Sequence, residues 1–171
     1  KELMDSGTIA NLKIDCIILR HTKQKKMTYQ EEMDYLVGND SRNQFITNLV
    51  GSLRGNTLVL FQYIEKHGQP LWEMFNPMVG RMNGTLHYVH GGTDTEDRET
   101  VREIVDSPRK KKNNVILASY GTFSTGINIK KIDNVVFASP SKSRIRNLQS
   151  IGRGLRKTTG KNEMRLFDIA D

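Results

Sequence analysis

The sequence predicts an α/β fold, with a mostly parallel sheet covered by helices on both faces. Three observations carry this. Short continuous apolar runs (Thr57-Leu58-Val59-Leu60-Phe61, Val115-Ile116-Leu117-Ala118 and Asn134-Val135-Val136-Phe137-Ala138) suit strands buried on both sides. Segments of helical apolar spacing lie between the strand candidates, an order that favours parallel pairing through right-handed crossovers. Small, polar or glycine-containing segments leave the strand ends, where open α/β sheets place their ligands. With 171 residues, 36% hydrophobic and 26% charged, the chain is long enough for one domain with a real core.

Residues 1–12 read as a polar lead-in with a short apolar face, Leu3, Met4, Ile9 and Leu12. The domain proper spans 13–171. Its first strand candidate is 13–19, holding Ile14, Cys16, Ile17, Ile18 and Leu19. A basic loop follows at 20–26. Thr28-Tyr29-Gln30-Glu31 has capping-box spacing and predicts a helix carrying Tyr29, Met33, Leu36 and Val37. Gly38-Asn39-Asp40 ends it, and Asp40 or Ser41 is expected to cap a second helix bearing Phe45, Ile46, Leu49, Val50 and Leu53.

Gly55-Asn56 is a turn into the 57–61 strand, and residues 64–67 suit a short helical turn. Pro70 fits the start of a helix with Leu71, Trp72, Met74, Phe75 and Val79, which Pro77 is expected to end or kink. Thr85-Leu86-His87-Tyr88-Val89 is the next strand. Thr93 or Asp94 then caps a helix through Val101, Ile104 and Val105. Arg109-Lys110-Lys111-Lys112 is a charge run, read as a solvated loop that would also suit a phosphate backbone. A helix with Ile145, Leu148 and Ile151 and a last strand over 164–169 complete the chain.

Composition narrows the function. A net charge of +7 attracts polyanions, nucleic acid being the commonest, although it also serves plain solubility. The lone Cys16 cannot form an internal disulfide and is expected to pack in its strand. No apolar run is long enough to span a bilayer and no secretory signal opens the chain, so a cytoplasmic protein is expected. The abrupt opening, Lys1-Glu2-Leu3-Met4, suggests a piece of a longer protein. There is no G-x-x-x-x-G-K-[ST] loop to cradle a triphosphate and no G-x-S-x-G elbow. His21, His67, His87 and His90 are scattered without metal-ligand spacing.

The most pointed feature is Gln149-Ser150-Ile151-Gly152-Arg153-Gly154-Leu155-Arg156. Its two arginines, three residues apart, share one face of a helix. A guanidinium is a fixed charge with a planar fork of donors, suited to phosphate oxygens. A basic solvated face is the plainer reading. The segments leaving the strand ends are Gln62-Tyr63, His90-Gly91-Gly92, residues 119–128 and Ser139-Pro140-Ser141. Hydroxyls of Ser119 and Thr122, and backbone amides around Gly91 and Gly92, can bond phosphate oxygens without reading a base sequence.

In their order, the 57–61 strand, Val89-His90-Gly91-Gly92, residues 115–119 with Thr125-Gly126-Ile127-Asn128, and the 149–156 run resemble motifs IV, V and VI of superfamily 2 helicases. Motif VI of that family reads Q-x-x-G-R-x-x-R, as residues 149–156 do. Asn128 stands where motif V often has aspartate, and an amide can still bond a ribose hydroxyl. The resemblance covers nearly the whole chain. It implies the second RecA-like domain of an ATP-dependent DNA helicase, similar to phage recombination helicases that migrate branched DNA during recombination, replication or repair.

On that resemblance, ATP and Mg2+ are held mainly by a preceding RecA-like domain. Arg153 and Arg156 reach the γ-phosphate, while Gln149, Gly126 and Asn128 contact the nucleotide. Ser119, Thr122, Gly91 and Gly92 contact DNA, and the isolated chain is expected to be inactive as an ATPase. Two alternatives stand beside this: a nucleic-acid-binding module without a nucleotide role, and a structural domain whose charge serves solubility.

Overall fold

The computed structural model describes residues 11–22, 25–107, 113–126, 129–140 and 163–171. Six strands form a single all-parallel sheet in the order β1-β6-β5-β2-β4-β3. They are β1 (Asn11–Ile18), β2 (Thr57–Phe61), β3 (Gly84–Val89), β4 (Asn113–Ser119), β5 (Asn134–Phe137) and β6 (Glu163–Ala170). The described helices are α1 (Tyr29–Val37), α2 (Asp40–Ser52), α3 (Gln69–Arg81), α4 (Thr95–Asp106) and α5 (Tyr120–Gly126). A single π turn, Ile64–Gly68, links β2 to α3.

The central strands are apolar throughout because both of their faces are covered. Along β2, Val59 and Phe61 join a core with Ile46, Val50, Leu71, Phe75 and Val79 of α2 and α3. Leu58 and Leu60 point the other way, into a core with Val105, Tyr120, Phe123, Ile129 and Ile132. Period-two alternation thus splits one uninterrupted apolar run between two cores. The expected two-faced α/β architecture is borne out.

Local sequence explains the element ends. Thr28 caps α1 in a full capping box with Glu31, its hydroxyl accepting from the Glu31 amide. The cap of α2 is Asn39 rather than Asp40 or Ser41, its carbonyl oxygen accepting from the Arg42 amide at 2.9 Å. Asp94 holds the cap position of α4, while Thr93 Oγ1 instead accepts from the His90 amide.

Three expectations are corrected. Pro77 does not end α3, which continues to Arg81. Pro77 and Glu73 both lie on the exposed side, so the carbonyl that loses its i+4 donor there faces water. Cys16 lies in β1, yet its side chain is exposed, because β1 is an edge strand. β1 itself begins at Asn11, so the end of the presumed lead-in pairs with β6.

Asn56 closes the amino edge of the sheet. Its side chain donates to the carbonyl of Lys131 at 2.7 Å and accepts from the Asn114 amide group at 3.0 Å. Its backbone oxygen accepts from the amides of Asp133 and Asn134, and its own amide donates to Asp133 Oδ2. The starts of β2, β4 and β5 are thereby tied to one residue. Gly55, at φ 84°, makes the turn into it, and a Cβ there would lie 2.4 Å from the Asp133 carboxylate.

A second polar network closes the opposite edge. Arg42, 2% exposed, pairs its Nε and Nη2 with the two carboxylate oxygens of Asp171 at 2.8 Å each. Its Nη1 donates to the carbonyl of Ala138 at 2.6 Å. Buried His67 lies between Ser139 Oγ at 2.6 Å and Asn43 Oδ1 at 2.9 Å. Asn43 uses its NH2 on the Val37 carbonyl, so its oxygen must accept from His67 Nε2–H. Nδ1 is then left to accept from the Ser139 hydroxyl, which itself accepts from the Gln62 amide. A neutral imidazole satisfies every group.

Burial, reinforced by the Arg42 charge, lowers the His67 pKa to about 3 from 6.5, and Asp171 only partly offsets this. Burial would push the Asp171 carboxyl up, but the bonds and charge of Arg42, helped by His21, outweigh it and hold it below its ordinary value.

Two outcomes follow for stability. Asn56→Ala orphans the Asn114 amide group and the Lys131 carbonyl, and lowers the unfolding free energy by about 2–4 kcal/mol in urea denaturation. For His67 the unfolded chain binds the proton first, so its contribution is complete above pH 6.5 and is lost as pH falls toward about 3. The slope is about 1.4 kcal/mol per pH unit. Urea midpoints compared between neutral pH and about pH 5 should show it, and His67→Gln should flatten it.

Candidate functional site

All six strands point the same way, so their carboxyl ends gather on one rim. There a pocket of about 430 Å³ is lined by Gln62, Ile64, Gly91, Arg98, Ser119, Tyr120, Gly121 and Thr122. Gln62 follows β2, Gly91 follows β3, and Ser119 ends β4. Residues 120–126, rich in hydroxyls and glycine, form helix α5 directly after β4 rather than an open loop. This turn of helix presents Thr122 beside Ser119. The Ser119 hydroxyl donates to Thr122 Oγ1 at 2.8 Å, which spends one of the two hydroxyl protons.

Arg98, on the first turns of α4, is the cation in this lining. Its Nε donates to the Thr93 carbonyl at 2.9 Å, and its Nη2 reaches the carbonyls of His90 and Gly91 at 3.4 and 3.3 Å. The arginine therefore braces the 90–93 turn while bringing positive charge to the pocket. Tyr120 forms the back wall. Its hydroxyl donates to the Ser139 carbonyl at 2.8 Å, and burial pushes its phenol pKa far up, so the ring stays neutral. The pocket can hold an anion through hydroxyl and guanidinium donors, with glycine at the mouth. At Gly91 and Gly121 a Cβ would meet nothing within 4 Å, which leaves the approach open.

Of the residues singled out in the sequence, Gly91, Ser119 and Thr122 are brought together here. Gly92 is adjacent but outside the lining, and its amide donates to His90 Nδ1 at 3.1 Å. Gly126 is the last residue of α5. Asn128, Gln149, Arg153 and Arg156, the helix with Ile145, Leu148 and Ile151, and the 109–112 charge run lie outside the described residues.

Arg98 escaped the sequence reading. Its one signal is a cation among the carboxylates of Asp94, Glu96, Asp97 and Glu99, a pattern that reads as an ordinary solvated helix. Ser139 was placed at a strand end, but its bond to His67 escaped, since a buried histidine has no sequence spacing to mark it. Among the described residues no group of three or more histidine, cysteine or acidic side chains is placed to hold a metal. Likewise no helix among them is long and apolar enough to cross a membrane.

Comparison with known proteins supports the fold. The ATP-dependent DNA helicase uvsW of Enterobacteria phage T4 is 36% identical over 178 residues, covering 99% of this chain and 34% of that protein. The crystal structure of T4 UvsW matches with a TM-score of 0.77 at 33% identity, over 96% of this chain and 33% of the other. A fragment of a putative HsdR subunit of a type I restriction enzyme from Vibrio vulnificus YJ016 also reaches 0.77, at 15% identity, over 99% of this chain and 33% of its own. The DEAD-box protein SrmB of E. coli matches at 0.61 and 15% identity, over 95% and 77%.

The last two likenesses show the fold alone, which is the RecA-like fold of helicase C-terminal domains. The chain spans about a third of the length of the curated relative it matches. The helicase conserved C-terminal domain matches residues 41–158, more than half of the chain, and the chain therefore belongs to that family.

Proposed function

We propose that this chain is the second motor domain of an ATP-dependent DNA helicase or translocase acting on branched DNA in recombination, replication or repair. The observation that carries the reading is the rim pocket, where Gly91, Ser119 and Thr122 converge with Arg98 in a chain of the helicase C-terminal family. Hydroxyls and a guanidinium suit the phosphates of a strand, and a net charge of +7 draws the strand in. These donors position a backbone and do not select a base.

In this reading ATP sits between this domain and a preceding RecA-like domain of the same protein. Arg153 and Arg156 stabilise the charge that spreads over the γ-phosphate during transfer, with Gln149, Gly126 and Asn128 at the nucleotide. On the same resemblance, Mg2+ is held mainly by the preceding domain. The isolated chain is then a binding module without turnover, and the full protein works in the cytoplasm of the host cell, if phage-encoded. Opening and closing of the two domains would alternate their grips, because each state favours a different affinity for the strand.

Arg153→Ala or Arg156→Ala in the full-length protein is expected to lower DNA-stimulated ATP turnover by about 10³ or more, with folding unchanged by circular dichroism. Lysine at either position should not restore it, since a point charge lacks the bidentate fork. Unchanged turnover in both alanine variants would falsify the arginine assignment. In the DNA pocket, Arg98→Ala is expected to weaken single-strand binding and to lower the slope of log affinity against log salt by about 0.7, the mark of one lost phosphate contact. Thr122→Val should weaken binding and leave the slope unchanged, both read by fluorescence anisotropy.

A further inference from the structure

Beside the pocket, where β3 leaves the sheet, three rings stand in file. Tyr88 packs on Trp72 with centroids 6.3 Å apart and planes 27° from parallel, and on His90 at 5.0 Å and 60°. Below them Phe61, fully buried, supports Tyr88 at 5.8 Å. Trp72, Tyr88 and His90 are each only half-buried, and β3 is the edge strand on this side among the described residues. Leu86 and Tyr88 share one face of β3 by period-two alternation, His90 follows just past the strand's end, and Trp72 is brought alongside from the first turn of α3.

The arrangement is held rather than loose. Gly68, ending the π turn, lets the Tyr88 ring in, because a Cβ there would lie 2.6 Å from Phe61 and 2.8 Å from the Tyr88 hydroxyl. That hydroxyl is buried and has no hydrogen-bond partner among the described residues, while the ring packs against Trp72, His90 and Phe61. His90 is fixed from the other side: its Nδ1 accepts from the Gly92 amide at 3.1 Å, and its backbone amide donates to Thr93 Oγ1. The next residue, Gly91, lines the anion pocket with Arg98. A cluster of half-buried rings, near-parallel only between Trp72 and Tyr88, therefore adjoins a cationic hydroxyl pocket, in a chain carrying +7.

We propose that Trp72, Tyr88 and His90 form a stacking platform for a base of single-stranded nucleic acid whose phosphate occupies the neighbouring pocket. Every base has a π face, so such a platform adds affinity for unpaired strand without sequence preference. Duplex bases, stacked on their own neighbours, cannot use it. The platform gives the domain a means of distinguishing a displaced single strand from an intact duplex. This rests on the nucleic-acid reading of the pocket, and the test separates the two.

Trp72 is the single tryptophan of the chain, so its fluorescence reports this site alone. The 171-residue chain is titrated with an end-labelled oligothymidylate and with an abasic strand of the same length. Anisotropy gives affinity, and tryptophan emission gives stacking. The expected result is saturable quenching with oligothymidylate, little quenching with the abasic strand, and about tenfold weaker binding of the abasic strand. His90→Ala and Trp72→Ala should each weaken oligothymidylate binding several-fold more than abasic binding, so that the preference for the strand with bases falls. Equal affinity for both strands without quenching overturns the platform and leaves the phosphate pocket standing. Failure to bind either strand sinks both.

Discussion

The buried pair between Arg42 and Asp171 is the constraint on which the working rim depends. A guanidinium with 2% exposure is tolerable only when its donors are met, and here two go to one carboxylate and a third to the Ala138 carbonyl. Removing one partner from such a pair costs about 3–5 kcal/mol, because the other charge is left stranded. The pair joins α2 to the ends of β5 and β6, elements far apart in the chain. One residue past Ala138, Ser139 receives the Gln62 amide and gives its hydroxyl to His67, so β2 and the π turn are drawn into the same weld. The ends of β2, β5 and β6 are thus joined in one hydrogen-bonded network.

The two edges of the sheet are built from different chemistry because every strand points the same way. At the amino edge, short amides satisfy one another: Asn56, Asn114 and Asn134 bond to backbone and to each other, with the Asp133 carboxylate on the Asn56 amide. Asp106 closes the turn before β5 by accepting from the amides of Lys130 and Lys131. At the carboxyl edge the strands end in Gln62, His90-Gly91 and Ser119, and the pocket opens among them. Ligand position at strand carboxyl ends follows from topology, and side chains then decide what binds.

The sheet was readable in the sequence because its central strands are buried on both faces, and burial leaves only apolar choices at residues 57–61, 115–118 and 134–137. β1 was readable as a strand but not as an edge, since Ile14 and Ile18 are as apolar as core residues and yet are 59% and 72% exposed. Pro77 misled for the opposite reason. Its cost in a helix depends on whether the freed carbonyl meets water, which is a property of the tertiary face and not of the local string. The site divides in the same way. Gly91, Ser119 and Thr122 follow strands and were found by position. Arg98, His67 and Ser139 matter through partners many residues distant or through backbone carbonyls, which no local pattern records.

The geometry also bears on how two ligands could influence one another. Tyr120 lines the pocket with its ring and bonds the Ser139 carbonyl with its hydroxyl. Gln62 lines the same pocket and donates its amide to the Ser139 hydroxyl. Ser139 and Pro140 lead directly into the stretch that carries Arg153 and Arg156. Ser139 thus meets two residues of the pocket lining, taking the Tyr120 hydroxyl on its carbonyl and the Gln62 backbone amide on its hydroxyl, so a shift at Ser139 would reach both. Packed elements resist gradual deformation, so a shift at this point favours a second discrete arrangement over a graded one. The neutral, buried His67 holds Ser139 in place without adding a charge to the core.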